Sequence, residues 1–258
     1  MLTIVKIGGN VIDDADALRR FLADFARLEG PKVLVHGGGK LASRLSTRLG
    51  IETKMVEGRR VTDRETLEVV TMVYAGLTNK RIVAALSALG QTAVGLCGAD
   101  GNAIRSIRRN PAPIDFGYVG DIAADGVNAD FLLALTRQGI APILCAITHD
   151  GHGQLLNTNA DSVASAVAKT LAKFCPTKLV FCFEKRGVLR DVNDERSVIP
   201  TINHATFDQL KAEGVVAAGM LPKITGALAA VDSGVQMVII KHADDLLLPQ
   251  SGTTITRS

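Results

Sequence analysis

Tryptophan is absent from the 258 residues, and aromatics of all kinds reach only 4%. With so few rings, a core must be built from Val, Ile, Leu and Ala, a mixture that suits helices packed on a parallel sheet. Long apolar runs are also missing. None approaches the roughly 18 uninterrupted residues of a membrane span, and Leu2-Thr3-Ile4-Val5, ending at Lys6, is too short and wrongly flanked for a signal peptide. Charge of one sign is scarce. The net +3 gives neither a nucleic acid nor a membrane surface an electrostatic handle, although it leaves room for a local phosphate site. Cysteines are few. Cys97, Cys145, Cys175 and Cys182 have no metal-ligand spacing, and three lie in apolar, strand-like runs. They read as reduced thiols, and no metal centre is expected. The familiar phosphate loop Gly-x-x-x-x-Gly-Lys-Ser/Thr is absent as well. These absences predict a soluble cytoplasmic protein with neither nucleic acid nor membrane among its partners.

What is present alternates. β-branched runs at Leu2 to Ile7, Lys32 to Val35, Thr92 to Cys97, Ile140 to Ile147, Lys178 to Phe183 and Val235 to Lys241 predict strands. Between them, Leu18, Phe21, Leu22, Phe25 and Leu28 recur at helical spacing, and Gly30-Pro31 stops that helix. A longer helical pattern runs from about Arg64 through Leu67, Val70, Val73, Tyr74 and Leu77 towards Leu89, with a break expected near Asn79. Further helices are expected over 131–138, 160–173, 205–213 and 222–233, and a closing edge strand over 253–256. Residues 99–127, rich in glycine and carrying Pro111 and Pro113, predict an irregular or hairpin insertion. This alternation implies βαβ units and an α/β fold with a mostly parallel sheet covered on both faces. A weak boundary near Phe174-Cys175-Pro176 divides the chain into an N-terminal lobe, about 1–173, and a C-terminal lobe, 174–258.

Ligands of such sheets bind at the carboxyl ends of the strands. There lies Lys6-Ile7-Gly8-Gly9, where glycines let backbone N–H groups approach an anion and a lysine can neutralise moving charge. Alone, this fragment reads more readily as a tight turn with a surface lysine. His36-Gly37-Gly38-Gly39 has more glycine than a turn needs, and His36 itself reads as structural. Gly58-Arg59-Arg60-Val61-Thr62 offers a guanidinium fork for a carboxylate, or a solvated basic pair. Asn157-Thr158-Asn159-Ala160-Asp161 has more polar residues than one helix cap requires. Gly219-Met220-Leu221-Pro222-Lys223 opens a helix with a cation where the helix dipole disfavours one, and that conflict points to function. His149 and His152 lack a third ligand, Arg105, Arg108 and Arg109 read as a solvated face, and Lys241-His242 ends a strand.

Taken in order, these fragments resemble the amino-acid kinase family, and within it the acylglutamate branch. The resemblance covers nearly the whole chain. It implies a three-layer αβα sandwich of two lobes, the N-terminal binding an acyl amino acid and the C-terminal binding ATP. It implies transfer of the γ-phosphoryl of ATP, bound with Mg2+, to the γ-carboxylate of an N-acylated glutamate in arginine biosynthesis. N-acetyl-L-glutamate is the first expectation. The alternatives are N-succinylglutamate, another small-molecule kinase of the fold such as a uridylate kinase, and a non-catalytic regulatory relative. By position, Lys6 and Lys223 match the lysines that stabilise the transferring group, and Asp161 matches the aspartate that orients them. Gly38, Gly39, Arg60 and Asn157 match substrate-binding positions, and Gly8 and Gly9 match the phosphate turn. The family's Ser-Asp-x-x-Gly-like nucleotide turn corresponds to Phe183-Glu184-Lys185-Arg186-Gly187, in which Glu184 and Gly187 remain but Lys185 and Arg186 depart from the pattern. Because the chain starts directly at its first strand, a homodimer without arginine feedback is expected.

Overall fold

The computed structural model describes residues 1–56, 59–215 and 220–257. Gly58 of the arginine motif and Gly219 of the last motif lie outside the described residues.

β1 (Leu2–Ile7) leads into a short α1 (Gly9–Asp13) and α2 (Ala15–Arg27), then β2 (Lys32–His36) and α3 (Gly39–Arg48). A two-stranded ribbon, β3 (Met55–Val56) and β4 (Arg59–Arg60), precedes a long helical rod. The rod comprises α4 (Arg64–Thr71), a π-helical stretch Met72–Thr78, and α5 (Asn79–Ala88). Next come β5 (Ala93–Leu96), β6 (Ile104–Arg108), β7 (Gly120–Val127), α6 (Ala129–Arg137), β8 (Ala141–Cys145), β9 (Ile147–His149) and β10 (Leu155–Asn157). The remainder is α7 (Ala160–Leu171), β11 (Thr177–Phe183), β12 (Thr201–Ile202), α8 (His204–Ala212), α9 (Leu221–Asp232), β13 (Met237–His242) and β14 (Thr253–Ile255).

Eight strands form one sheet in the order β12-β14-β13-β11-β1-β2-β8-β5. All neighbours run parallel except β13 and β14. This is the expected α/β class. β14 is the expected closing strand but not an edge, because β12 pairs along its outer side and takes the edge position. Val5, Ile7 and Leu34 meet Phe21, Leu22, Phe25 and Ile82 on one face. Leu2, Ile4, Val33 and Val35 meet Val163, Val167, Ile224 and Leu228 on the other. Both faces of the sheet are therefore covered, which is why its strands read as continuous apolar runs.

One expectation needs correction. The rod does not break at Asn79. It winds as a π-helix just before that residue, and the buried Asn79 amide donates to Ile143 O at 2.9 Å and to His36 Nε2 at 3.0 Å. Of the two readings for 99–127, the hairpin is the one found. β6 and β7 form a hairpin that joins β9 and β10 in a second, four-stranded sheet. The run Ile140 to Ile147 accordingly divides, β8 staying in the main sheet and β9 entering the second.

Candidate active site

Chain order reverses about β1: β2 lies on one side and β11, from much later in the sequence, on the other. Such a switch point opens a crevice at the strands' carboxyl ends. Lys6 stands there, in register with Phe181 of β11 and Val35 of β2. Alternation places it on the same face as Leu2 and Ile4, under α7, and it is only 8% exposed.

The N-terminus of α7 supplies its partner. Asn159 caps the helix, accepting from the N–H groups of Asp161 at 2.8 Å and Ser162 at 3.2 Å. The cap therefore belongs to Asn159, which leaves Asn157 and Asp161 for other tasks. Asp161 Oδ1 lies 2.7 Å from Lys6 Nζ. That oxygen is buried and has no hydrogen-bond partner, so the contact is one of charge rather than an aligned hydrogen bond. Lys223 occupies the first turn of α9, and its Nζ sits 3.9 Å from the centroid of the Phe183 ring, with Lys6 Nζ at 4.9 Å from the same ring. Lys223, Asp161 and Phe183 line a cavity of about 300 Å³ with Ser162, Ser165 and Lys169. Burial pulls the Lys223 ammonium below lysine's ordinary range; Asp161 opposes this, Lys6 reinforces it, and Glu184 opposes it more weakly.

A second cavity of about 160 Å³ opens on the other side of the α7 N-terminus, lined by Gly39, Arg59, Arg60, Tyr74, Asn157 and Asn159 among others. Arg60 is buried, and its guanidinium donates to Gly39 O at 2.9 Å, Ser43 Oγ at 2.8 Å and Thr53 Oγ1 at 3.2 Å. It is thus held against the start of α3, whose first N–H groups have no partner within the helix. Asn157 Nδ2 donates to Thr62 Oγ1 at 3.0 Å, tying the Asn-x-Asn-Ala-Asp segment to the arginine segment. Gly38 has φ +157°, and a Cβ there would lie 2.9 Å from Tyr74 Cδ1, so ring and glycine fit only without a side chain.

The glycines of the first turn divide. Gly8 packs tightly, with a Cβ there only 3.3 Å from the Phe183 ring, and its N–H is taken by Cys182 O at 2.9 Å. Gly9, which opens α1, faces open space. The departures in the nucleotide turn also find partners, Lys185 meeting Glu195 at 3.2 Å and Arg186 meeting it at 3.9 Å. Glu184 is exposed. Gly187 is fixed by packing, since a Cβ would stand 2.8 Å from Thr253 Oγ1 and 2.9 Å from Val198; it does not line the cavity at Lys223.

Other candidates are structural. His36 is fully buried and its pKa falls to about 4, chiefly through burial. Lys241 donates to Asp245 O and Leu248 O. Arg105 and Arg109 pair with Asp125 and Asp121. Burial pushes the thiols of Cys145 and Cys182 up to about 12, which makes them inert. Tyr74 and Phe183 were missed as site residues. In sequence Tyr74 is one more apolar position of a helix, and Phe183 is the last residue of a strand.

Two cavities thus flank one helix terminus, with cations on the wall of each. Residues 1–242 match the amino acid kinase family. The chain belongs to that family. It is similar to acetylglutamate kinases from Phocaeicola vulgatus (52% identical, covering 99% of this chain and 98% of the relative) and Parabacteroides distasonis (53%, 95% of each). Among solved structures it is similar to smu.665 from Streptococcus mutans UA159, with a TM-score of 0.79, 28% identity, and 100% and 99% of the two chains covered. In this member of the family, the kinase motifs converge around the Lys6–Asp161 pair, with no His/Cys/Asp/Glu cluster able to hold a metal among the described residues.

Proposed function

We infer that this chain transfers the γ-phosphoryl group of ATP to the γ-carboxylate of N-acetyl-L-glutamate, giving the acyl phosphate used in arginine biosynthesis. Similarity to acetylglutamate kinases over nearly the full chain supports the reaction. The observation that carries the site is the Lys6–Asp161 pair, placed between two cavities and facing a second ammonium, Lys223.

The chemistry needs no general base, because a carboxylate is already ionised at neutral pH. Its difficulty is the approach of two anions in line. The carboxylate oxygen attacks the γ-phosphorus, and ADP leaves as the P–O bond to the β-phosphate breaks. Charge builds on the equatorial and leaving oxygens, and fixed cations are what lower that barrier. In this assignment Lys6 and Lys223 neutralise the transferring group, and Asp161 orients Lys6. Arg60 and Asn157 hold the acyl amino acid, with Gly38 and Gly39 opening the start of α3 to it. Gly8 and Gly9 border the phosphates, and Glu184 and Gly187 shape the nucleotide side. The carboxylates present, Asp161 and Glu184, suit a magnesium ion that arrives on the ATP phosphates rather than in a protein cage. Mg2+ would supply charge neutralisation on the nucleotide.

The lobe assignment follows the same geometry. Residues 1–173 supply the acyl amino acid wall, and 174–258 supply Phe183 and Lys223. We also propose a cytoplasmic homodimer. β5 ends the main sheet with β8 as its one strand neighbour, and its Ala, Val, Gly and Leu include no lysine or proline of their own, Lys80 covering only Gly95 O at 2.9 Å. Sedimentation at twice the 27.2 kDa chain mass supports this, and a monomer or hexamer contradicts it.

Hydroxylamine trapping with magnesium-ATP tests the reaction against N-acetylglutamate, N-succinylglutamate, glutamate, aspartate and UMP. Hydroxamate is expected from N-acetylglutamate. Hydroxamate from none of the carboxylates refutes a kinase of this type, and a clear preference for the succinyl compound reassigns the acyl group.

A further inference from the structure

Phe183 ends β11 beside both lysines, and its ring is held from several sides. It stacks on Phe181 with centroids 6.1 Å apart and planes 9° from parallel, and it abuts Gly8. The centroid lies 3.9 Å from Lys223 Nζ and 4.9 Å from Lys6 Nζ. An aromatic face carries negative potential and attracts an ammonium at these distances.

The charge balance at this point is uneven. Lys6 has Asp161 at 2.7 Å, whereas among the described residues the ring is the group that meets the Lys223 ammonium. Asp161 is thus shared by two cations that repel each other, with Glu184 adding a weaker attraction to Lys223. Before phosphates arrive, something must keep both ammoniums charged and near one another. We propose that Phe183 is a positioning residue for phosphoryl transfer, its ring face holding the Lys6 and Lys223 ammoniums together at the place where the phosphoryl group will pass. The proposal rests on the reading of these lysines as the phosphate-neutralising pair. It adds a residue that hydrogen-bonding and charge arguments overlook, because phenylalanine has neither.

The charged groups facing Lys223 are Lys6 from β1, Asp161 from α7 and Glu184 after β11, with Lys169 of α7 on the same cavity wall. Without the ring's potential, burial and Lys6 act on Lys223 with less opposition. The ammonium would then be lost at lower pH.

Graded fluorination tests this, because mono-, di- and trifluorophenylalanine at position 183 weaken the ring's potential while nearly keeping its shape. The readouts are kcat and KM for magnesium-ATP and the alkaline limb of kcat/KM. Each added fluorine should lower kcat/KM, to a total on the order of tenfold, and should move the alkaline limb to lower pH. Phe183→Leu should lose at least as much, and Phe183→Tyr should recover most of that loss. A flat fluorine series, whether or not Phe183→Leu is impaired, reduces the ring to packing and overturns the proposal. If Phe183→Leu fails to fold, the fluorinated chains decide alone. Absence of hydroxamate from the unmodified chain would instead refute the kinase reading, which keeps the two failures distinct.

Discussion

Lys6 and Lys223 are asked to do the same task from different surroundings. Lys6 lies on the central strand with a carboxylate at 2.7 Å, and Lys223 lies on a helix turn against an aromatic ring. If both stabilise the passing phosphoryl group, their loss should appear in kcat. Lys6→Ala and Lys223→Ala are each expected to lower kcat by about 10²-fold or more, with circular dichroism and the KM for the acyl amino acid little changed. Retained kcat in either variant contradicts its role. The pH profile separates the two. Lys223 works as an ammonium, and burial lowers its pKa from the ordinary 10.5. As pH rises through that lowered value the charge disappears, so kcat/KM should fall before pH 10.5 is reached. In Lys223→Arg, whose guanidinium stays protonated, whatever activity remains should lose this limb. An unchanged limb in the arginine variant would assign it to another group.

At the scale of elements, the strands and most helices were legible because their apolar residues lie on faces that must be buried. β1, β2, β11 and β13 are mostly apolar on both faces, with their polar residues near the strand ends, since helices cover both sides of the sheet. The lysine turn, the arginine segment and the Asn-x-Asn-Ala-Asp segment could also be found, because each holds polar or glycine residues where packing alone would choose otherwise. The rod over 64–88 shows what periodicity hides. Helical spacing from Leu67, Val70 and Val73 leads to Leu77, yet Leu77 is 41% exposed while Thr78 and Asn79 are buried. The π-helix takes up extra residue length and shifts the buried phase, and no residue type announces this in advance. The second sheet was illegible for another reason. β9 and β10 are three residues each, too short to show alternation, and the pairing that ties them to the β6–β7 hairpin joins His149 to Arg105, far back in the sequence. The π-helical stretch carries Tyr74 against Gly38, which gives a test of this element. Gly38→Ala should lower stability by about 1–3 kcal/mol in urea unfolding, by overpacking against the ring. In a Tyr74→Leu background the loss should be smaller, and strictly additive losses contradict the contact.

The whole molecule is organised about one sheet, and its buried polar centre links stability to pH. His36 Nδ1 lies 2.8 Å from Gly37 O, and Nε2 lies 3.0 Å from the Asn79 amide nitrogen, an arrangement that assigns a neutral ring with its proton on Nδ1. Its pKa is about 4 in the folded chain against 6.5 ordinarily. Between those values the unfolded chain binds a proton that the folded chain does not, so stability falls as pH drops from 6.5 towards 4. The His36 share of that fall is on the order of 3 kcal/mol. Urea midpoints across this range should therefore decline less steeply in His36→Gln, and an equal decline in both proteins contradicts the assignment. The same sheet carries the two cavities on either side of the α7 N-terminus, and the central claim is that a carboxylate from one attacks a phosphoryl group from the other. The most direct measurement uses N-acetyl-L-glutamate labelled with oxygen-18 in the γ-carboxylate, with magnesium-ATP and hydroxylamine. Attack by the carboxylate makes its oxygen the bridge to phosphorus, so the phosphate released on hydroxamate formation should carry the heavy oxygen. Unlabelled phosphate, or phosphate released without hydroxamate, would mean that water rather than the substrate carboxylate receives the phosphoryl group.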